Sequence, residues 1–134
     1  MSQENLEVVR SIYADWERGD FSTAQWAHPE IEFVGADGLD PGKWTGLTGM
    51  AASFRDTLSA WEDFRVVAEE YRELDDGRVL VLDNLSGRGK TSGLELGQMR
   101  TTGAWLFHVR DGSVARMVRY QDRDRALADL GLKE

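Results

Sequence analysis

The chain has 134 residues, a formal net charge of −8, 41% hydrophobic residues and no cysteine. That is one domain of ordinary size, residues 1–134, with enough apolar material for a core. Disulfides and thiol chemistry are excluded, and the negative charge repels phosphate backbones and anionic lipid, so neither nucleic acid nor a membrane surface is an expected partner. No apolar run is long enough to span a bilayer and no charged-then-apolar leader is seen, while the absence of cysteine fits a cytoplasmic protein.

Leu6, Val9, Tyr13 and Trp16 recur at three- and four-residue steps with Glu4, Glu7, Arg10 and Glu17 between them, which predicts an amphipathic helix with Ser2 as its N-cap. Gly19 stops it, and Asp20 is placed to cap a second short helix over Phe21 to Ala27. "EIEFV" alternates as a strand with Ile31 and Phe33 on one face, and "GADGLDPGKWTG" has the Gly, Asp and Pro content of a loop. Thr48 can cap a third helix whose stripe is Met50, Phe54, Leu58 and Trp61. "FRVVAEEYREL", "RVLVLDNLSGRG", "QMRTTGAWLFHVR" and "SVARMVRYQ" read as four strands, two pairs of them joined by the Asp-Gly turns in "DDGR" and "RDGS". "DRDRALADLGL" closes the chain as a short helix with Gly131 past its end. Helices first and a strand meander after predict an α+β fold: a curved antiparallel sheet with the N-terminal helices packed on its concave face.

The stretches "VVRSIYADWERGDF", "AHPEIEF", "KWTGLTGMAASF", "VLVLDNLSGRGKTSG" and "WLFHVRDGSVARMVRYQDRDRAL", in this order and spacing, resemble the SnoaL-like branch of the NTF2-like superfamily. The resemblance covers almost the whole chain. It implies a cone-shaped domain, a homodimer formed through the sheet, and a pocket between the helices and the concave face. It implies no single activity, since its members include polyketide cyclases, ketosteroid isomerases, limonene-epoxide hydrolases and plain binding proteins.

Steroid isomerisation needs a carboxylate base, a tyrosine and a protonated aspartate in an apolar cavity. By resemblance Tyr13 stands at the tyrosine position, but the base position falls near Gly35 and Trp105 occupies the place of the second acid. The hydrolase pattern wants an aspartate on the last strand, where Arg119 stands. A cyclase needs a pocket acid, for which Asp37 and Asp83 are the candidates. Glu32 points away on alternation, and Asp83 cannot be oriented because "LDNLSG" can carry a bulge.

Arg119 shares an expected face with Met117 and Gln121, the face of Trp105 and Phe107. A guanidinium among aromatics is either paired, to Asp37, Asp83 or Asp122, or captures a ligand carboxylate or enolate. The opposite face carries Val118 and Tyr120, which suit a dimer contact. Of the five tryptophans, Trp44 is the one expected to lid a cavity. "NLSGRGKT" misses the phosphate-binding motif because Asn84 replaces its first glycine and no helix pattern follows. His28 and His108 lack a third ligand for zinc, and no cofactor or metal is called for.

The leading expectation is a dimeric binding protein for a small apolar ligand, anionic or not. Its pocket would be lined by Tyr13, Trp16, Phe33, Trp44, Phe54, Trp105, Phe107, Met117, Arg119 and Gln121. The first alternative is a cyclase- or isomerase-type enzyme using Asp37 or Asp83 with Tyr13. The second is a dimeric interaction module whose aromatics fill the cone.

Overall fold

The computed structural model describes residues 2–20, 25–36, 42–74, 77–89 and 98–132. Its elements run α1 (Ser2–Glu17), β1 (Ala27–Gly35), β2 (Gly42–Thr45), α2 (Gly46–Ala60), β3 (Trp61–Glu73), β4 (Arg78–Gly89), β5 (Gln98–Arg110), β6 (Ser113–Tyr120) and α3 (Arg123–Asp129). The strands form one open sheet in the order β2-β1-β6-β5-β4-β3. Every junction is antiparallel except β1 against β6, which is parallel, so the expected antiparallel sheet carries one parallel seam.

The strand alternation divides the side chains between two cores. Val79, Val81 and Leu85 of β4, Trp105 and Phe107 of β5, and Met117 of β6 point to one face. There they meet Val9, Ile12, Tyr13 and Trp16 of α1 and Met50 of α2. Leu80, Leu82, Ala104, Leu106, Val118 and Tyr120 point to the other, where Ala126 and Leu127 of α3 cover them. Strand runs that are apolar at successive positions, such as residues 79–82 of β4 and 104–107 of β5, require such cover on both faces. Val118 and Tyr120, expected at a dimer contact, are therefore already buried within one chain.

Register shifts interrupt the β3–β4, β1–β6 and β5–β6 ladders. Bulges bend strands and increase their twist, which is how a sheet of six strands curves around α1 and α2. Asp122 caps α3 by accepting from the Asp124 amide, and Gly131 follows with φ +69°.

Some expectations are corrected. The sequence predicts a second helix over Phe21 to Ala27; residues 21–24 lie outside the described ones, Trp26 is in a turn and Ala27 already begins β1. The Gly-rich loop contains β2, which pairs with β1 and sets Trp44 against Phe33. An edge ladder and an aromatic contact, with the strand-favouring Trp44 and Thr45, outweigh the poor strand propensity of Gly42 and Lys43. Helix α2 begins at Gly46, so Thr48 lies in its first turn. The Leu58 and Trp61 side chains, and Asp37, lie outside the described residues.

In the β4 hairpin, Gly77 has φ +83°, and a Cβ there would lie 2.4 Å from the Val109 carbonyl oxygen. Gly77→Ala is expected to cost at least about 1 kcal/mol for the left-handed backbone alone, plus the displacement of β5. Urea unfolding of this variant checks it; a stability within error of wild type would contradict the geometry.

Candidate functional site

Strand β4 places Asp83 on the helix-facing side of the sheet, between Ala68 of β3 and Gly103 of β5. Two small neighbours leave space above the carboxylate. Arg119 lies on β6, two strands from β4, and must cross roughly 10 Å of sheet to reach it. It does so over Gly103, where a Cβ would stand 2.3 Å from Arg119 Nη2 and 2.6 Å from the Tyr120 carbonyl oxygen. Arg119 Nη1 then donates to both Asp83 oxygens, at 3.0 and 2.9 Å. From the opposite side α1 presents Tyr13, whose hydroxyl donates to Asp83 Oδ2 at 2.8 Å.

Asp83 is fully buried and Arg119 is 5% exposed, and they are the buried charged residues among those described. Their surroundings are apolar. The Arg119 guanidinium carbon lies 5.5 Å from the Trp105 ring centroid, a cation–π contact that desolvation strengthens. Tyr13 meets Trp16, Tyr71 and Phe107 edge-on, with centroids 5.1 to 6.1 Å apart. Burial, and next the Asp83 charge, hold the Tyr13 phenol well above its ordinary range, against a smaller opposing pull from Arg119. Tyr13 therefore stays a protonated donor. Arg119 Nε and Nη2 are buried with no hydrogen-bond partner among the described residues.

The predicted residues sort as follows. Tyr13, Asp83, Arg119, Trp16, Trp105 and Phe107 come together in one cluster, and Met117 is buried in the same core. Phe33 lies against Trp105 and Phe54, with Trp44 behind it, half-buried on β2 rather than in a loop. Of the two readings of Arg119, the ion pair forms, and its partner is Asp83. Gln121 follows the end of β6 and is exposed, so it does not continue the face of Met117 and Arg119. Glu32 points away as expected, paired with Lys43 at 2.6 Å. His28 lies in β1, where its Nδ1 accepts from the Glu30 amide, and His108 lies on the far face, its pKa lowered by burial and by Arg116 and Arg78.

Three residues were missed. Gly103 seats the guanidinium, and an isolated glycine within a strand was the available signal. Arg123 reaches the same strand from α3, donating to the Asp83 carbonyl oxygen at 2.9 Å and pairing with Glu69. Glu69 is the residue left over at the bulge between Ala68 and Glu70, and it also accepts from Asn84. No sequence spacing announces that clamp, because it joins residues 40 and 54 positions apart.

The pattern of the SnoaL-like domain family matches residues 9–117. The chain belongs to that family. Among curated proteins no significant match is found. Solved structures of the same fold include a protein of Jannaschia sp. CCS1 assigned as a SnoaL-like polyketide cyclase. It is 18% identical, with a TM-score of 0.75 over 96% of this chain and 90% of that one. An NTF2-like protein of unknown function from Burkholderia pseudomallei K96243 is 16% identical, with a TM-score of 0.76 over 93% and 95%. TerC, crystallised with polyporic acid, is 23% identical, with a TM-score of 0.71 over 95% and 97%.

Two predictions follow from the cluster. Arg119→Met leaves a buried, uncompensated carboxylate and is expected to cost about 3–5 kcal/mol, while the Asp83→Leu/Arg119→Met pair recovers most of it. Chemical denaturation of Arg119→Met, Asp83→Leu and the double variant checks this, and simple additivity would refute the coupling. Second, the raised Tyr13 pKa gives stability that is complete below the ordinary tyrosine range and is lost as pH rises above it. In an alkaline titration the Tyr13 phenolate absorbance should appear together with unfolding, and that component should vanish in Tyr13→Phe.

Proposed function

We propose that this member of the SnoaL-like family binds a small, mainly apolar molecule between α1 and the helix-facing side of the sheet, with Arg119 as the polar contact. The observation that carries the reading is the buried Asp83–Arg119 pair in an aromatic interior. A buried ion pair is a poor source of stability, because apolar residues of the same volume commonly serve as well or better. A domain of this size that places a guanidinium there, on a seat made by glycine, gains from it something other than folding energy. Two further donors of that guanidinium have no partner among the described residues, which suits a ligand oxygen. Trp16, Phe33, Trp105 and Phe107 supply the flat apolar walls that small-molecule sites use.

The enzyme reading rests on Tyr13 and Asp83 being in contact. Both Asp83 oxygens already accept hydrogen bonds, so its first role is to hold Arg119 and Tyr13 in place. A cyclase-type reaction on the same ligand is the second reading. A homodimer and a cytoplasmic setting complete the proposal. Among the described residues no helix is long and apolar enough to cross a membrane.

Tryptophan fluorescence and thermal shift against aromatic polyketides, steroids, terpenoid epoxides and aromatic acids test the reading. A saturable quench with a raised melting temperature is expected. Tyr13→Phe should weaken binding several-fold, about 1 kcal/mol, by loosening Asp83. Product formation with a hit would favour the cyclase reading. A flat response across the panel from a folded dimer would favour the interaction module instead. Sedimentation velocity reads the dimer directly.

A further inference from the structure

Resting on that ligand-binding reading, we infer that the site selects an uncharged, carbonyl-bearing aromatic molecule over an organic anion. The reason is charge balance. Among the described residues the buried charges are one carboxylate, Asp83, and one guanidinium, Arg119, joined by Nη1. Tyr13 is neutral and donates its proton's hydrogen bond to Asp83. The cluster is therefore neutral before any ligand arrives. The remaining half-buried polar ring nearby, Tyr71, stands edge-on to Tyr13 with centroids 6.0 Å apart and adds no positive charge.

Arg119 still has two buried donors, Nε and Nη2, with no partner among the described residues. These two nitrogens form one edge of the guanidinium, and that edge presents parallel N–H groups. A ketone, quinone or ester oxygen satisfies them without changing the net charge. A carboxylate would satisfy them as well in geometry, but it would bring an unbalanced negative charge among Trp16, Phe33, Trp105 and Phe107 and next to Asp83. An isolated charge in such surroundings costs several kcal/mol, and a like charge at short range adds to that cost. From sequence the arginine is either paired or an anion trap; with Asp83 on its other side it becomes a carbonyl clamp. Trp105, beneath the guanidinium at 5.5 Å, holds it in place by a cation–π contact.

The test compares 2-acetylnaphthalene, an uncharged ketone, with 2-naphthoate, which has the same ring and a carboxylate. Ligand-observed NMR titration and thermal shift at neutral pH read both. The wild-type protein is expected to bind the ketone at least about tenfold more tightly. Asp83→Asn keeps the shape and an acceptor for Tyr13 while removing the balancing charge, so in that variant the preference should reverse toward naphthoate. Tyr13→Phe should weaken both ligands while keeping their order, because it changes no charge. Equal or tighter binding of naphthoate by the wild-type protein overturns the charge-balance inference and leaves the pocket standing. Binding of neither ring overturns the pocket reading and this inference with it. The wild-type comparison decides the matter even if Asp83→Asn does not fold.

Discussion

The hydrogen-bonded pair between Asp83 and Arg119 is the constraint around which the interior is arranged. Two opposite charges on strands that are not neighbours can meet only if the strand between them offers no side chain, and Gly103 meets that condition. The strand on the other side of Asp83 must also be low, and Ala68 stands there. The carboxylate needs a third donor for the lone pairs that Arg119 leaves, and α1 brings the Tyr13 hydroxyl down onto it. Each of these is a sequence choice that makes sense only in the presence of the pair, since glycine within a strand weakens it and a phenol deep in a core needs a partner.

The opposite face of the sheet completes the arrangement. At the bulge beside Asp83 the ladder loses regular pairing, and Arg123 from the first turn of α3 donates to the Asp83 carbonyl oxygen. Glu69, turned outward by the bulge, holds both Arg123 and Asn84. Asp83 is thus held through its side chain by α1 and β6 and through its backbone by α3. Helix α3 covers the second core, so the residue at the centre of the first core is fixed by packing on both faces.

How much of this could be read in advance varied with the physics involved. Strands β4 and β5 were bounded correctly, because long alternating runs end at glycines and Asp-Gly turns that few other structures use. The stripe of α1 was equally clear. Strand β2 was hidden, since four residues at the end of a Gly- and Asp-rich stretch pair only because β1 offers an edge. Gln121 failed for a related reason: alternation assigns a face only while the strand continues, and β6 stops at Tyr120. The Arg119 partner stayed open among three aspartates, because the choice depends on a strand order that local patterns do not contain. Asp83 was ambiguous in orientation for as long as a bulge could fall on either side of it; the bulge proved to lie on β3, at Glu69, so the alternation of β4 itself is unbroken.

The direction of one hydrogen bond refines the roles within the site. By resemblance, Tyr13 stands where an activity would use a phenol against the ligand. Its proton is engaged by Asp83, and Asp83 is the group that keeps Arg119 in place. A ligand that took the Tyr13 proton would leave the carboxylate, in an apolar interior, with one donor fewer, at a cost of about 1–3 kcal/mol. Arg119 asks for no such exchange, since Nε and Nη2 are not engaged among the described residues. The geometry therefore gives the Tyr13 phenol the task of orienting the carboxylate, and under the proposed function it leaves the guanidinium as the group that would meet a ligand. On the inference drawn above, selectivity would reside in the charge of the pair as a whole rather than in either residue alone, because the same arginine without Asp83 would prefer the opposite class of molecule.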